Sequence, residues 1–298
     1  MANANGWGDG ASNNNIGWGK GADNAIGWGD IHADSWAGLT DIVGTAAFDA
    51  DAQAFITAAA ITDPTQQAAI NTLVVDLKGY SIWTNMKALY PFVGSTASQQ
   101  KFNLKDPRDL DAAFRLQFLG GWTHSANGAL PNGTNAYADT FLTPSTTLTL
   151  NSHSFGIYSR TNDTSGTQVY GCVSSIGGNK FLQNNLTAAS FISGSSSNTI
   201  NYTANPSTSL LMLSRTSATL AKAFRAGVLL GTNTFAVTNL PPVKFYLGAR
   251  HNTGNPVGEF YSNHEVAFAF LADGLNDTEA ANFYTAVQAF QTTLGRQV

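Results

Sequence analysis

The sequence contains few charged residues and hardly any glutamate. Charged side chains make up 11% of the 298 residues, whereas an average soluble domain has about 25%. Glutamate occurs only at Glu259, Glu265 and Glu279, while glycine, asparagine, serine and threonine are abundant. This balance disfavours a helix-rich cytosolic enzyme and favours a β-rich fold with polar, uncharged loops.

Basic clusters, paired cysteines and long apolar runs are also missing. The chain has 15 Lys and Arg against 19 Asp and Glu, a net charge of −4, which argues against nucleic acid or an anionic membrane as a partner. Cys172 is the only cysteine, so an intrachain disulfide is excluded. No apolar run approaches the roughly 18 residues of a membrane span, and the first residues lack the pattern of a secretory signal. We therefore expect a protein made in a reducing cytoplasm and not exported by the secretory route.

A short tryptophan repeat occupies the N-terminal part of the chain. Gly-Trp-Gly recurs around Trp7, Trp18 and Trp28, in steps of 11 and 10 residues, and Trp36 follows. One interpretation is a disordered linker, because glycine loses much backbone entropy on ordering, but linkers do not usually carry tryptophan at regular spacing. We predict that residues 1–44 form an extended strap, with these tryptophans as anchors on sister chains or on a larger partner.

Residues 45–91 have the pattern of a small helical collar. Apolar residues spaced by three or four positions predict a first helix near residues 48–59. Asp63, Pro64 and Gln66 then provide an N-cap, a proline at the first helical position and a capping-box glutamine, which predict a second helix ending at Gly79. The same spacing predicts a third short helix, which would bury Ile82, Trp83, Met86 and Leu89 and end before Pro91.

Residues 92–298 alternate between apolar and polar side chains in many short segments. Examples lie at 243–247 and 266–270, and glycine and asparagine turns separate them. Such a succession predicts a mainly β fold, a two-sheet antiparallel sandwich. Asn276 and Glu279 form a capping box, which predicts a helix close to the C-terminal end.

Five segments of the chain form a distinctive series in one order. They are Phe92-Val93-Gly94, Lys101-Phe102-Asn103-Leu104-Lys105-Asp106-Pro107, Gly120-Gly121-Trp122-Thr123-His124, Asn132-Gly133-Thr134-Asn135 and the run 283–296. Together they resemble a family of bacteriophage virion proteins, namely fibres and spikes with concanavalin A-like (laminin G-like) jelly-roll domains. The resemblance covers about residues 46–298, and the tryptophan repeat is similar in style to virion-attachment tails.

The resemblance implies a trimeric appendage of a virion, assembled in the cytoplasm of a bacterial host. Its N-terminal strap would attach to capsid, portal-vertex or tail proteins. Its concanavalin A-like domain at 92–298 would bind a glycan on the host surface. A purely structural head-fibre, decoration or collar protein is the alternative.

Catalytic motifs are missing from the sequence. A glycoside hydrolase needs two carboxylates across the scissile bond, and Glu259 and Glu265 do not follow the alternating pattern that jelly-roll hydrolases use. The Gly-x-Ser-x-Gly, P-loop and Gly-x-Gly-x-x-Gly motifs are absent as well. We therefore predict that the chain is not an enzyme, with a polysaccharide-degrading hydrolase as the weaker alternative.

Metal and cofactor sites are not expected from the spacing of ligand residues. The histidines lack the close pairs of a zinc site, so we predict neither a metal nor a cofactor. Three copies of His32 around a trimer axis would be an exception, although a solvent-exposed or capping His32 is preferred. Asp106, Asp109 and Asp111 offer an alternative Ca²⁺ site, but turn formation around Pro107 explains them more simply.

Two loop clusters combine aromatic and hydrogen-bonding side chains, as sugar recognition requires. Each has a simpler structural interpretation: Trp122 as a core residue at a strand end, and Arg250 as an anchor for a loop carbonyl. The first candidate cluster consists of Trp122, His124, Asn132, Asn135 and Tyr137, and the second consists of Arg250, His251, Asn252, Asn255 and Tyr261.

Overall fold

The computed structural model describes residues 47–162, 168–173, 180–184, 188–192, 199–201, 208–253 and 255–298. The predicted strap, with its tryptophans and His32, lies outside the described residues. The α-helices are α1 (Ala50–Ala58), α2 (Pro64–Gly79), α3 (Ala97–Gln100), α4 (Pro144–Thr147) and α5 (Asp277–Thr293). The strands are β1 (Met86–Tyr90), β2 (Gln117–Leu119), β3 (Trp122–Ser125), β4 (Gly128–Pro131), β5 (Tyr137–Asp139), β6 (His153–Ser159), β7 (Gln168–Val173), β8 (Lys180–Asn184), β9 (Ala188–Ile192), β10 (Thr199–Asn201), β11 (Ser209–Ser217), β12 (Leu220–Arg225), β13 (Val228–Asn233), β14 (Tyr246–Leu247), β15 (Arg250–Asn252), β16 (Asn255–Glu259) and β17 (Val266–Ala272).

The first sheet has eight strands, in the order β13-β12-β11-β6-β17-β4-β3, with β1 paired to β17. Its central strands are antiparallel, and Ile157 of β6 lies opposite Leu211 on one side and Ala269 on the other. Every residue of β6 and β17 is buried. Strands buried on both faces are expected where a sheet lies between two other layers.

Within the described residues, the second sheet has nine strands: seven follow the order β10-β9-β8-β7-β14-β5-β2, β15 pairs with β7, and β16 pairs with β15. The main core contains residues of both sheets, and the rings of Phe155 and Phe245 meet with 5.3 Å between their centroids. This arrangement confirms the predicted fold class, a mainly β antiparallel sandwich.

Three of the predicted helices are confirmed as α1, α2 and α5, with the N-cap of α2 and the capping box of α5 as predicted. The predicted capping-box role of Gln66 is wrong, because its side-chain oxygen accepts a hydrogen bond from the Gly94 amide at 2.6 Å instead. Asp63 accepts a hydrogen bond from the Gln66 amide at 2.9 Å, and α2 ends at Gly79 as expected. The capping box of Asn276 and Glu279 starts α5, whose Phe283 lies 4.4 Å from Phe270 of β17 between ring centroids. Helix α5 therefore covers the face of the first sheet that points away from the second sheet.

The third predicted helix is wrong. Residues Trp83–Asn85 form one 3-10 turn, and Met86–Tyr90 is strand β1, paired antiparallel with β17. Four of the five residues of β1 are buried. A short apolar run of this kind has no periodicity that separates a buried strand from a buried helix, so pairing with β17 decides its conformation.

Among the described residues, no helix combines the length and apolarity needed to cross a membrane. The proposed domain boundaries at residues 44 and 91 stay predictions.

Candidate functional site

The second candidate cluster lies on a small hairpin at the second sheet. Strand β15 carries Arg250, His251 and Asn252, and β16 returns so that Arg250 lies opposite Glu259. The Arg250 Nη2 donates a hydrogen bond to Glu259 Oε2 at 2.7 Å, and this ion pair is partly shielded from water. The Asn252 amide lies 3.5 Å from the same carboxylate oxygen. The hairpin therefore places an arginine, a carboxylate and an amide together.

An exposed aromatic ring follows directly after this hairpin. Phe260 is 56% exposed, and the Arg250 guanidinium lies 4.0 Å from the centre of its ring. The backbone of Phe260 has a φ of +54°, a left-handed conformation that bulky residues rarely adopt. The sequence-based candidates did not include this residue, although its position beside Tyr261 at a strand end could have indicated it.

A stack of three rings connects the two candidate clusters. Tyr137 of β5 stacks on Tyr246 of β14 at 4.7 Å, and Tyr246 stacks on His251 at 4.3 Å with an interplanar angle of 6°. Tyr261 and Tyr137 both lie against Gly258. A Cβ atom added at Gly258 would be 2.9 Å from the Tyr261 ring and 3.4 Å from the Tyr137 Cβ. Tyr137 and Tyr261 thus belong to one surface, as do Arg250, His251 and Asn252.

His251 is fixed in one orientation in this stack by a hydrogen bond to the backbone. Its Nδ1 lies 2.9 Å from the Lys244 carbonyl, so Nδ1 carries the proton and donates it. Burial lowers the pKa of His251, although the Lys244 carbonyl and the Asp139 charge act in the opposite direction.

A second cation, ring and carboxylate lie beside the stack. Lys244 Nζ lies 2.7 Å from Asp139 Oδ2 and 4.3 Å from the centre of the Phe141 ring. Phe141 also has a positive φ, +56°. Phe260 and Phe141, whose rings each lie against a cation, therefore both have a left-handed backbone conformation.

Trp122 and His124 of the first cluster are engaged in packing. Trp122 Nε1 lies 3.1 Å from the Leu119 carbonyl and 3.2 Å from that of Tyr137, and its ring packs on the main core. His124 Nδ1 lies 2.7 Å from Gln100 Oε1, and burial lowers the pKa of His124. Their role in ligand binding stays a prediction.

Asn132 and Asn135 hold the loop between β4 and β5. The Asn132 side-chain oxygen accepts from the backbone amides of Thr134, Asn135 and Ala136, and its Nδ2 donates to Asn135 Oδ1 at 2.7 Å. These bonds form an Asx-type turn. The two side chains thus shape the loop that leads into Tyr137.

Two buried polar atoms of the hairpin have no hydrogen-bond partner in the structure, Arg250 Nε and Asn252 Oδ1. One is a donor and the other is an acceptor. Buried polar atoms without partners are uncommon in native structures, and a bound water is one physical explanation for them. A hydroxyl or a water, which both donates and accepts, matches this pair chemically.

The remaining acidic candidates are engaged by cations. Asp106 binds Arg108, Asp109 binds Lys101 and Arg115, and Asp111 also binds Arg115. Within the described ranges, no group of three or more His, Cys, Asp or Glu side chains lies close enough to hold a metal ion. The Ca²⁺ alternative at these aspartates stays an untested prediction. Glu265 pairs with Arg160 at 2.6 Å, whereas Glu259 pairs with Arg250.

Comparison with known proteins finds similarity at the level of solved structures. No protein-family model matches the sequence, and neither does a curated protein. The chain is similar to a Trypanosoma rangeli sialidase, with 12% identity and a TM-score of 0.40 over 73% of this chain and 39% of the sialidase. It is similar to the binding domain of botulinum neurotoxin DC, solved with rat synaptotagmin II, with 9% identity and a TM-score of 0.43 over 70% of this chain and 53% of that domain.

A third similar structure is domain 4 of AbnA, a GH43 arabinanase from Geobacillus stearothermophilus, solved with arabinotriose. It has 13% identity and a TM-score of 0.33, over 67% of this chain and 98% of that domain. The present chain spans about two fifths of the sialidase's length. At such identities and TM-scores, no site or activity is transferred to this chain, and the phage origin, trimer and virion location stay predictions.

The prediction that the chain is not an enzyme is corrected by these structures. Sialidases are enzymes, and they are among the solved structures to which the chain is similar. A β-sandwich can serve enzymes and binding domains alike, so the missing motifs do not establish that activity is absent.

Proposed function

We propose that this chain is a glycan-binding module, and that the β15–β16 hairpin with Phe260 is its binding site. The observation that supports this most directly is the exposed Phe260 ring, held in left-handed backbone over Arg250. Strained residues are retained where the surrounding structure enforces them, often at ligand-binding sites.

The chemistry around Phe260 suits a sugar. The C–H face of a pyranose or furanose ring packs on an aromatic ring, while its hydroxyls need partners at the ring edge. Glu259 offers carboxylate oxygens, and Asn252 and Arg250 lie within the same hydrogen-bonded group. Tyr246 is almost fully buried, whereas Phe260 is exposed, so Phe260 provides the accessible platform.

We further propose that the module belongs to a bacteriophage fibre or spike, assembled in the bacterial cytoplasm and attached through residues 1–44. The Gly-Trp-Gly repeat and the resemblance of the collar and sandwich to phage virion proteins support this proposal. A homotrimer would present several copies of the site, which increases avidity without new contacts.

The glycan-binding proposal is tested by removing the exposed ring. The full-length protein is screened on an array of bacterial and plant oligosaccharides, and the dissociation constant of the best ligand is measured by calorimetry. We expect Phe260→Ala to weaken binding about tenfold or more, since buried aromatic anchors dominate binding energies. Phe235→Ala is the matched control, because Phe235 is 52% exposed and lies after β13 in the first sheet.

Two outcomes would contradict the proposal. One is the absence of any bound oligosaccharide, which would favour the purely structural alternative. The other is an equal affinity of the Phe260→Ala and Phe235→Ala variants for the same ligand, which would place the site elsewhere.

Attachment to a particle is tested separately in the full-length chain. Phage particles are reconstituted with protein in which Trp7, Trp18 and Trp28 are replaced by alanine. We expect the variant to bind glycan normally and to be missing from purified particles. Normal incorporation of the variant would contradict the role of the strap.

A further inference from the structure

We infer that the Phe260 site selects uncharged sugar residues and discriminates against acidic ones such as uronic or sialic acids. This inference rests on the proposed glycan binding and adds the class of ligand. It follows from the way in which the charges around the site are already paired.

The cations at the site already have carboxylate partners. Arg250 donates to Glu259 at 2.7 Å, and Lys244 pairs with Asp139 at the same distance. The Arg115 guanidinium lies 5.8 Å from the centre of the Phe141 ring, and it pairs with Asp109 and Asp111. A ligand carboxylate would therefore have to displace Glu259 to obtain the bidentate arginine contact that acidic groups favour.

Glu259 would also repel an acidic ligand directly. Its side chain is 26% exposed, and that of Arg250 is 17% exposed, so the carboxylate is the more accessible charge of the pair. A carboxylate only accepts hydrogen bonds, whereas a sugar hydroxyl donates to Glu259 and accepts in turn. Two like charges in partly buried surroundings repel more strongly than in bulk water.

The unpartnered atoms of the hairpin agree with a neutral ligand. Arg250 Nε is a donor and Asn252 Oδ1 is an acceptor. A hydroxyl, or a water that bridges to one, satisfies both kinds of atom, but a carboxylate satisfies only the donor. His251 adds no positive charge at neutral pH, since burial lowers its pKa.

The test compares neutral and acidic oligosaccharides of matched length on the full-length protein. We expect neutral ligands to bind at least about tenfold more tightly, equivalent to about 1.4 kcal/mol. Their binding should hardly change between about 50 and about 500 mM salt, because salt screens charge interactions. Tighter binding of an acidic ligand would overturn the inference and leave the proposed glycan binding intact, whereas binding of neither class would contradict glycan binding itself.

The Glu259→Gln variant tests the cause of the selectivity. Removal of this carboxylate leaves Arg250 unpaired, so we expect affinity for the acidic ligand to rise about tenfold or more. Glu279→Gln is the matched control, since it changes the net charge equally and glutamine still supports the capping box of α5. An unchanged preference in Glu259→Gln would contradict the assignment of selectivity to the Arg250–Glu259 pair.

Discussion

Phe260 and Phe141 illustrate how single residues are held in unfavourable backbone at the candidate site. Left-handed backbone costs a residue with a Cβ atom about 1–2 kcal/mol. Both residues nevertheless have positive φ angles. A cation lies over each ring, Arg250 over Phe260 and Lys244 over Phe141. Phe260 follows the end of β16 and Phe141 follows the end of β5, so the site depends on the backbone conformation of two residues outside the strands.

Arg296 is the most extensively bonded buried cation among the described residues. It is 1% exposed, and its Nε donates to Gln291 Oε1 at 2.6 Å. Burial lowers its pKa to about 9, so it remains charged at neutral pH. Its terminal nitrogens donate to the backbone carbonyls of Pro91, Phe92, Ala126 and Ala267.

We predict that Arg296→Ala lowers the free energy of unfolding by about 3 kcal/mol or more, because several buried carbonyls lose their donor at once. Arg296→Lys should recover part of this loss, since lysine keeps the charge but offers fewer donors. Urea unfolding measures both changes. Arg108→Ala is the control, since Arg108 forms an exposed ion pair with Asp106, and an equal loss in the two alanine variants would contradict the prediction.

Helix α5 shows how far a single element can be anticipated. Its capping box was predicted, because a cap involves residues only three positions apart in the sequence. Strand β1 was not predicted, because its conformation depends on pairing with β17, in which Ala272 lies opposite Met86 from a distant part of the chain.

We predict that Asn276→Ala lowers the free energy of unfolding by about 1 kcal/mol, the usual value for loss of an N-cap. The Asn276 side chain accepts from the Glu279 amide at 3.0 Å, and alanine cannot replace that bond. Asn276→Ser should leave stability nearly unchanged, since serine caps helices equally well. Chemical unfolding of the three proteins is the measurement, and equal stability of Asn276→Ala and the unaltered chain would show that α5 is held by packing alone.

The molecule as a whole should lose stability in mild acid because of its buried histidines. The pKa of His153 is lowered to about 4, chiefly by burial and in part by the nearby Arg215 charge, against the opposing hydrogen bond to the Thr149 carbonyl. Burial also lowers the pKa of His124 and His251. In the unfolded chain, these side chains titrate near pH 6.5.

The sign of this pH dependence follows from proton binding. Between about pH 4 and pH 6.5, the unfolded chain binds protons that the folded chain does not, so stability is full above about pH 6.5 and falls as the pH drops toward 4. The lowered pKa of His153 alone corresponds to a loss of about 3 kcal/mol in the free energy of unfolding across that window, since each unit of pKa difference is worth about 1.4 kcal/mol. Asp49, Asp106 and Asp109 have lowered pKa values, so their contribution is lost at still lower pH.

We predict that His153→Asn flattens the dependence of stability on pH between 6.5 and 4.5. Asparagine can still donate to the Thr149 carbonyl, which His153 Nδ1 contacts at 2.8 Å, but it does not titrate. The measurement is urea unfolding at several pH values, with the slopes of the two proteins compared rather than their absolute stabilities. A variant slope equal to that of the unaltered chain would exclude His153 as the source.

The candidate site was only partly predictable for the same reason as β1. The residue types and the loops were identified from local composition, and Arg250, His251 and Asn252 do lie together on β15. The stack that joins Tyr137 to Tyr246 and His251 spans more than 100 residues of sequence. Such contacts depend on strand order, which local patterns do not specify.

Local chemistry and long-range pairing thus account for different parts of this protein. Helix caps, strand alternation, charge content and the lack of a disulfide follow from residues and their near neighbours, since each depends on interactions within a few positions. Contacts between distant segments of the chain determine the two-layer sheet order, the strand at Met86–Tyr90, the packing of Trp122 and the exposure of Phe260. They depend on which distant strands bury each other's apolar faces, a choice that minimises the free energy of the complete chain rather than of any one segment.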